Sequence, residues 1–304
     1  MLAKQEILDH VKNLNTAKSG DKRYPHKPLL LLVAIKKLKD GEREISFDEV
    51  RKIMTPLLDV FAPPVVSHNV DNPYWRLQQD GLWNVQGSRV EDYNASTPPK
   101  TSNLRNTTGN LIPELIDYLV DDPAFSDEII QAVLHTYFPE TLFEELLSSI
   151  GLDLVPDAVS EPGVAQPART RDPSFRPRVL QAYDYRCAVT GFQAALGKSY
   201  FGCEAAHVRW HAYDGPDLIE NGISLEPTMH KLFDVGAWAL TDDRRVIVSA
   251  DFTGSDYALE KLRSLHGKSI SAPAPGNSLL GEKYIRWHRE ADQGGIFRTP
   301  GLPL

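Results

Sequence analysis

The sequence predicts an α+β protein of two domains, and three observations carry that reading. The N-terminal half spaces its apolar residues at helical intervals. Residues 152–173 have no periodicity and hold four prolines and one glycine. Residues 203–236, CEAAHVRWHAYDGPDLIENGISLEPTMHKLFDVG, read in turn as strand, irregular loop and helix. At 304 residues the chain is long enough for two cores.

Taken in order, residues 2–14 predict a helix with one apolar face. The run PLLLLVAI at 28–35 starts a strongly apolar helix, with Pro28 suited to its first turn. Lys36, Lys37 and Lys39 then gather where cations favour the helix dipole. Residues 45–54 read as a short extended piece and a helix, the pattern of winged-helix-like units. Three helices follow, at 111–120, 126–135 and 140–150, with Ser126 and Thr141 as caps and Pro139 at the joint. The aperiodic stretch predicts a linker, although its Val and Leu could dock on a domain surface. The expected organisation is therefore a mainly helical domain over 1–151, a linker over 152–173 and a second domain over 174–304. In that second domain, 203–208 predict a short strand, 227–235 a short helix and 237–249 a hairpin. No internal repeat is evident.

The net charge of −8 at first argues against a nucleic-acid partner. Its distribution reverses that. Residues 106–168 hold no Lys or Arg against 12 Asp or Glu, whereas 1–105 carry 16 basic against 13 acidic and 169–304 carry 17 against 16. One acidic block makes the whole imbalance and leaves both flanking regions free to present basic faces. No run approaches the ~18 apolar residues of a membrane span, and no opening segment resembles a signal peptide. Two cysteines fit a reducing interior, so the expectation is a soluble cytoplasmic protein with no membrane partner.

The chemistry lies in 203–236. His207, Asn221 and His230 stand on strand, loop and helix in that order. His207 has the side chain whose ordinary pKa lies nearest neutrality, suited to taking a proton from water. His230 can give a neutral nitrogen to a metal, with Asp234 four residues on over the same helix face. Asn221 can pin the loop through bonds to backbone and so fix how His207 is presented. A strand-end His taken alone is more often a satisfied structural residue than a base. His211, His266 and His288 are read that way, and Cys187 and Cys203 as small buried apolar residues.

These residues resemble the HNH family of ββα-metal nucleases. The match is to its EAAH subgroup, at Glu204, Ala205, Ala206 and His207, followed by Asn221-Gly222 and by HKLFD from His230 to Asp234. RCAVTG from Arg186 to Gly191, the hairpin at 237–249, and the pairs Leu265-His266-Gly267 and Trp287-His288 agree with it. The resemblance implies a DNA endonuclease with a divalent metal, Mg²⁺ or Mn²⁺. His207 is then the general base, Asn221 its orienter and His230 a metal ligand, with Asp234 and Glu204 as further ligands. Two positions depart from the family pattern. Ala206 stands where many relatives place an acidic ligand, and Glu204, two residues earlier, shares its strand face. Only Cys187 and Cys203 stand where relatives have two CxxC pairs, with Thr190 and Glu226 in the other places, so no structural zinc is expected. One such site cuts one strand, so a double-strand break needs two passes or a homodimer.

In the N-terminal half, basic and aromatic residues cluster at 22–28 (KRYPHKP) and 66–83 (VSHNVDNPYWRLQQDGLW). Composition alone favours an aromatic turn packed in a core with solvated cations around it. HKPLLLL after Tyr-Pro, with the later PYWRL and GLW, is similar to the sulfur-binding domain of phosphorothioate-dependent restriction endonucleases. That resemblance implies a double-stranded, phosphorothioate-modified DNA partner. The sulfur cavity would be formed by His26, Lys27 and Pro73 together with Asn72, Tyr74 and Arg76. Arg23 belongs to the first basic cluster, and Arg105 with the turn at 106–109 would reach bases or neighbouring phosphates. The family often has Tyr where this chain has Asn72. Two alternatives stay open: an HNH nuclease that reads methylated or other modified bases, and a non-catalytic DNA-binding protein with a degenerate HNH fold.

Overall fold

The structure is a computed structural model. It describes residues 2–16, 18–19, 22–64, 68–87, 90–94, 99–152, 172–290 and 295–304, with backbone only for 18–19 and 22–23. The chain divides into two compact units, one built on 2–16 and 24–152 and the other on 18–19, 22–23, 172–290 and 295–304. All but the first and last two residues of the expected linker, 153–171, lie outside the described residues.

The elements up to residue 152 are α1 (Lys4–Lys12), β1 (Lys18–Ser19), β2 (Lys22–Arg23), α2 (His26–Lys39), β3 (Ile45–Ser46), α3 (Phe47–Phe61), α4 (Asp71–Arg76), β4 (Trp83–Gly87), α5 (Thr101–Leu104), β5 (Thr107–Leu111), α6 (Pro113–Asp121), α7 (Pro123–Tyr137) and α8 (Phe143–Ile150). Helix α2 is apolar on every side from Leu29 to Ile35, and all seven residues are buried. Such a helix is stable only at the centre of a core. Helices α3, α4, α6, α7 and α8 accordingly pack around it. Each of its buried leucines contributes about 1.5–3 kcal/mol. Ser46 caps α3 by accepting from Glu49 N. The cap of α7 is Asp122, which accepts from Phe125 N, and not Ser126. Pro123 sets the first turn of α7 earlier than expected, and Ser126 is buried inside the helix.

The helical reading of this unit omitted a sheet. Strands β3, β5 and β4 pair antiparallel in that order, with Gly109 opposite both Ile45 and Val85. A Cβ at Gly109 would lie 2.1 Å from Trp83 Cζ2, so glycine is what lets the indole lie flat on the strand. The protein is therefore α+β already within its first unit.

The second unit has α9 (Phe175–Ala182), β6 (Ala194–Leu196), β7 (Ser199–Phe201), β8 (Glu204–His207), β9 (Gly222–Leu225), α10 (Pro227–Asp234), β10 (Trp238–Leu240), β11 (Val246–Val248), α11 (Asp256–Arg263) and α12 (Glu282–Arg289). Strands β8 and β9 pair antiparallel, His207 opposite Gly222, and α10 follows directly with Pro227 in its first turn. Helix α9 lies against both strands. A Cβ at Gly222 would come within 2.4 Å of Val179 Cγ2, so the glycine after Asn221 is what admits α9. Among the described residues no helix is long and apolar enough to cross a membrane.

Candidate functional site

Each unit offers one site. In the first, the N-terminus of α2, the loop at 68–70 and helix α4 enclose a cavity of about 340 Å³. His26, Lys27, Asn72, Pro73 and Arg76 line it, as do Asn15, Tyr24, His68, Asn69 and Gln79. The first five were legible as candidates. Of the others, His68 lay within the second aromatic–basic cluster with no periodic or spacing signal to single it out.

The electrostatics differ from the charge count. Lys27 is buried and its Nζ lies 2.5 Å from Asp80 Oδ2, also buried. Asp80 Oδ1 in turn accepts from Asn15 N at 2.7 Å. Lys27 therefore meets its counter-charge inside the protein. His26 is held down to about 4 by burial, assisted by the neighbouring His68, and is neutral at pH 7. Arg76 is exposed and makes no ion pair among the described residues, so it is the cation the cavity offers to an anion.

Two candidates stand elsewhere. Tyr74 is fully buried, edge-on to Phe47 and Trp83, with its hydroxyl donating to Thr107 Oγ1 at 3.1 Å. It is a core residue and does not line the cavity. Arg105 is exposed at 4.0 Å from Asp48 and does not line the cavity. Residues 107–109 belong to the central strand β5, where a turn was expected. The Arg23 side chain lies outside the described residues.

In the second unit, His207 Nε2 lies 2.7 Å from Asp217 Oδ1, and the ring stacks on Phe175 at 3.9 Å between centroids and 13° between planes. Burial is the largest influence on Asp217 and pushes its carboxyl up. The Asp172 backbone N–H and the His207 ring outweigh it and hold the carboxyl below the usual range. An ionised Asp217 can accept the Nε2 proton of His207. Asp217 was not among the sequence candidates; it stands four residues before Asn221 in a loop without periodicity.

Asn221 is fully buried. Its Oδ1 accepts from Arg209 N at 2.8 Å, and its Nδ2 donates to Arg209 O and Pro216 O, both at 3.0 Å. Three bonds thus tie both ends of the loop at 209–216 to the residue just before β9.

His230, Glu204 and Asp234 come together. His230 Nδ1 lies 2.8 Å from Glu204 Oε2, and Nε2 lies 3.3 Å from Asp234 Oδ2. The bond to His230 is the main reason the Glu204 carboxyl is held below its usual range. Asp234 is buried, and its Oδ1 accepts from Trp210 Nε1 at 2.9 Å. Glu204 is half-buried. Alternate residues of β8 face opposite sides, so Glu204 and the buried Ala206 share one face and His207 takes the other. Helix α10 covers the first face through His230, and α9 the second through Phe175.

Among the described residues no three His, Cys, Asp or Glu side chains converge as a ready ligand set. The Glu204–His230 pair is the donor pair the fold offers. Its 2.8 Å separation is close to that of two neighbouring ligands on an ion at about 2.1 Å. His266 accepts from Val248 N and contacts Pro303 O. His288 is buried, stacked on Phe233, and burial lowers it to about 3. Cys187 and Cys203 are buried free thiols.

Comparison with known proteins bears on both sites. Residues 4–155 match the family model described as ScoMcrA-like, DNA sulfur-binding domain, and residues 187–241 match that of an HNH endonuclease. Among solved structures, the first unit is similar to the sulfur binding domain of SprMcrA complexed with phosphorothioated DNA, at 24% identity over 50% of this chain and 95% of that one, TM-score 0.44. The corresponding ScoMcrA domain complex gives 22% identity over 48% and 94%, TM-score 0.41. The Type IV phosphorothioation-dependent restriction endonuclease ScoMcrA gives 22% over 51% of this chain and 35% of that one, TM-score 0.39. No curated protein matches the chain. The match over residues 4–155 spans half of the sequence, and the chain accordingly belongs to the ScoMcrA-like DNA sulfur-binding domain family, here joined to an HNH endonuclease domain.

Proposed function

We propose that this protein is a modification-dependent DNA endonuclease, reading a phosphorothioate with residues 1–151 and hydrolysing phosphodiesters with residues 174–304. The observation that carries the reading is one chain holding both a Pro73-walled cavity with Arg76 at its rim and a His207 ring oriented by Asp217.

At the cavity, sulfur is larger and more polarizable than the oxygen it replaces and accepts hydrogen bonds weakly. Against Pro73 it loses little hydration, whereas an oxygen there would be desolvated without a partner. Arg76 holds the remaining anionic charge. Discrimination comes as much from penalising oxygen as from favouring sulfur.

At the second site, His207 Nδ1 takes the proton of a water facing the scissile phosphorus, while Asp217 holds the ring in that tautomer and balances the imidazolium that forms. Asn221 keeps the loop that carries Asp217 in register with β8. Glu204 and His230 Nδ1, on the other face of β8 from His207, would hold a divalent cation, and the reading requires one phosphodiester to reach both faces at the end of the strand. Asp234, buried and already bonded to Trp210, serves to orient His230 and not as a second ligand. When bound, the cation supplies electrostatic stabilisation of the charge on the phosphate and its leaving oxygen. A second copy of the chain, or a second encounter, would cut the opposite strand.

Ala206 favours a second reading, a DNA-binding protein with a degenerate nuclease domain. One experiment separates them: marked and unmarked duplexes of one sequence are incubated with Mn²⁺ and read for both binding and breakage. Selective binding with breakage is expected. Binding without breakage under Mn²⁺ or Mg²⁺ would establish the non-catalytic reading, and equal binding of both duplexes would remove the sulfur reading.

A further inference from the structure

Two imidazoles meet in the wall of the first-unit cavity. His26 Nε2 lies 3.3 Å from His68 Nδ1, with ring centroids 5.2 Å apart. A contact of this kind is one hydrogen bond holding one proton, so one ring donates and the other accepts. The remaining nitrogens decide the direction. His26 Nδ1 is closed off from solvent and has no hydrogen-bond partner among the described residues. An N–H there would be a buried unsatisfied donor, costing about 1–3 kcal/mol. His68 Nε2 faces Asp59 Oδ1 at 4.0 Å. Avoiding an unpaired N–H on His26 Nδ1 puts the shared proton on His26 Nε2, donated to His68 Nδ1, and the other proton on His68 Nε2, which faces Asp59 Oδ1 beyond hydrogen-bond distance.

His26 is then uncharged, with Nε2 occupied and Nδ1 closed off. What it offers to a ligand is ring carbon. The surrounding charges are consistent with an uncharged ring. Lys27 is matched by Asp80, Tyr24 presents its ring edge-on to His26 at 5.6 Å, and Arg76 is the cation on α4.

Resting on the reading of this cavity as the sulfur site, we propose that His68 is a positioning residue for sulfur selectivity: it fixes His26 as a neutral ring whose carbon surface lines the cavity. A charged imidazole would stabilise oxygen, the stronger hydrogen-bond acceptor, more than sulfur. A neutral carbon surface leaves the oxygen's lost hydration uncompensated and accepts sulfur. Selectivity thus depends on the pair keeping a single shared proton.

The test uses the full chain without divalent metal, with sulfur-marked and unmarked duplexes of one sequence titrated at pH 7.5 and 5.5. Wild type should keep one sulfur-to-oxygen affinity ratio at both pH values. In His68→Leu, His26 loses both its acceptor and a like neighbour and opens to water, so it titrates nearer its ordinary value of about 6.5. Its ratio should fall about tenfold between pH 7.5 and 5.5, the weight of one charge-assisted hydrogen bond gained by oxygen. His68→Gln, whose amide oxygen accepts from His26 Nε2, should restore the wild-type ratio. Imidazole ¹⁵N spectra of the wild-type protein should show His26 as the Nε2–H tautomer, a readout independent of any variant's folding. An Nδ1–H tautomer, or a His68→Leu ratio equal to wild type at both pH values, overturns the proposal while leaving the sulfur reading in place. A wild-type protein with no sulfur preference at pH 7.5 overturns that reading, and this proposal with it.

Discussion

Asp217 Oδ1 receives His207 Nε2 at 2.7 Å while Asp217 Oδ2 receives the Asp172 backbone N–H at 2.7 Å, so one carboxylate fixes both the ring and the backbone just ahead of α9. His207→Ala should lower cleavage by about 10²–10⁴-fold and leave duplex affinity unchanged. Asp217→Asn keeps a polar partner and removes the charge that balances the imidazolium. It should cost about 10–100-fold in cleavage rate, again without loss of binding. Wild-type cleavage by His207→Ala would remove the assigned base. Single-turnover rates beside gel-shift affinities make the comparison.

Asn221→Ala would leave Arg209 N, Arg209 O and Pro216 O without their side-chain partner. We expect a loss of roughly 2–4 kcal/mol, since several buried polar groups are abandoned together. Urea denaturation followed at the second unit's tryptophans measures it, and a loss under ~0.5 kcal/mol would show that the loop holds itself.

Asp80→Ala strands the buried Lys27 ammonium and should destabilise the first unit by about 3–5 kcal/mol. Lys27→Met, which keeps an apolar stem, should cost clearly less. A larger loss in Lys27→Met would mean that Asp80 depends on the lysine and is not held by Asn15 N alone.

Arg76 and Pro73 line one cavity but should act differently on binding. Arg76→Ala should weaken sulfur-marked and ordinary duplexes alike and lower the salt slope by about one. Pro73→Gly should reduce affinity for the marked duplex selectively. The two variants titrated at 50 and 200 mM salt give both quantities.

Acid should loosen both units through two histidines that burial keeps neutral. His26 and His288 have folded values near 4 and 3 against about 6.5 unfolded, so the unfolded chain binds more protons between those limits. Their neutral burial contributes fully above pH 6.5 and is lost as pH falls towards the folded values. The His26 share is roughly 3 kcal/mol. Denaturation midpoints at pH 7 and 5 should differ accordingly, and His288→Gln should flatten the second unit's profile.

The order His207, Asn221, His230 was legible because each sits at the junction of a short local element, and α2 because seven consecutive apolar residues admit no surface helix. The sheet β3–β5–β4 was not. TTGNL and WNVQG lack clean alternation, and the sheet's pairing joins residues 20–64 positions apart. Tyr74 was misplaced for a related reason: an aromatic beside Pro and Arg reads the same whether it faces a cavity or the core. Asp217 and His68 have roles set by a neighbour's ring and not by sequence spacing, so nothing in the chain's periodicity marked them. Ion pairing was equally hidden, since Lys27 reads as a free cation until Asp80 is found beside it.

The glycine at 222 has a mechanical consequence. By letting Val179 and Phe175 lie flush on the hairpin, it seats the His207 ring on the opening residue of α9, three positions beyond the Asp172 amide that grips Asp217. Tension on the polypeptide just ahead of Asp172 would therefore pull at both the cushion beneath the imidazole and the carboxylate beside it.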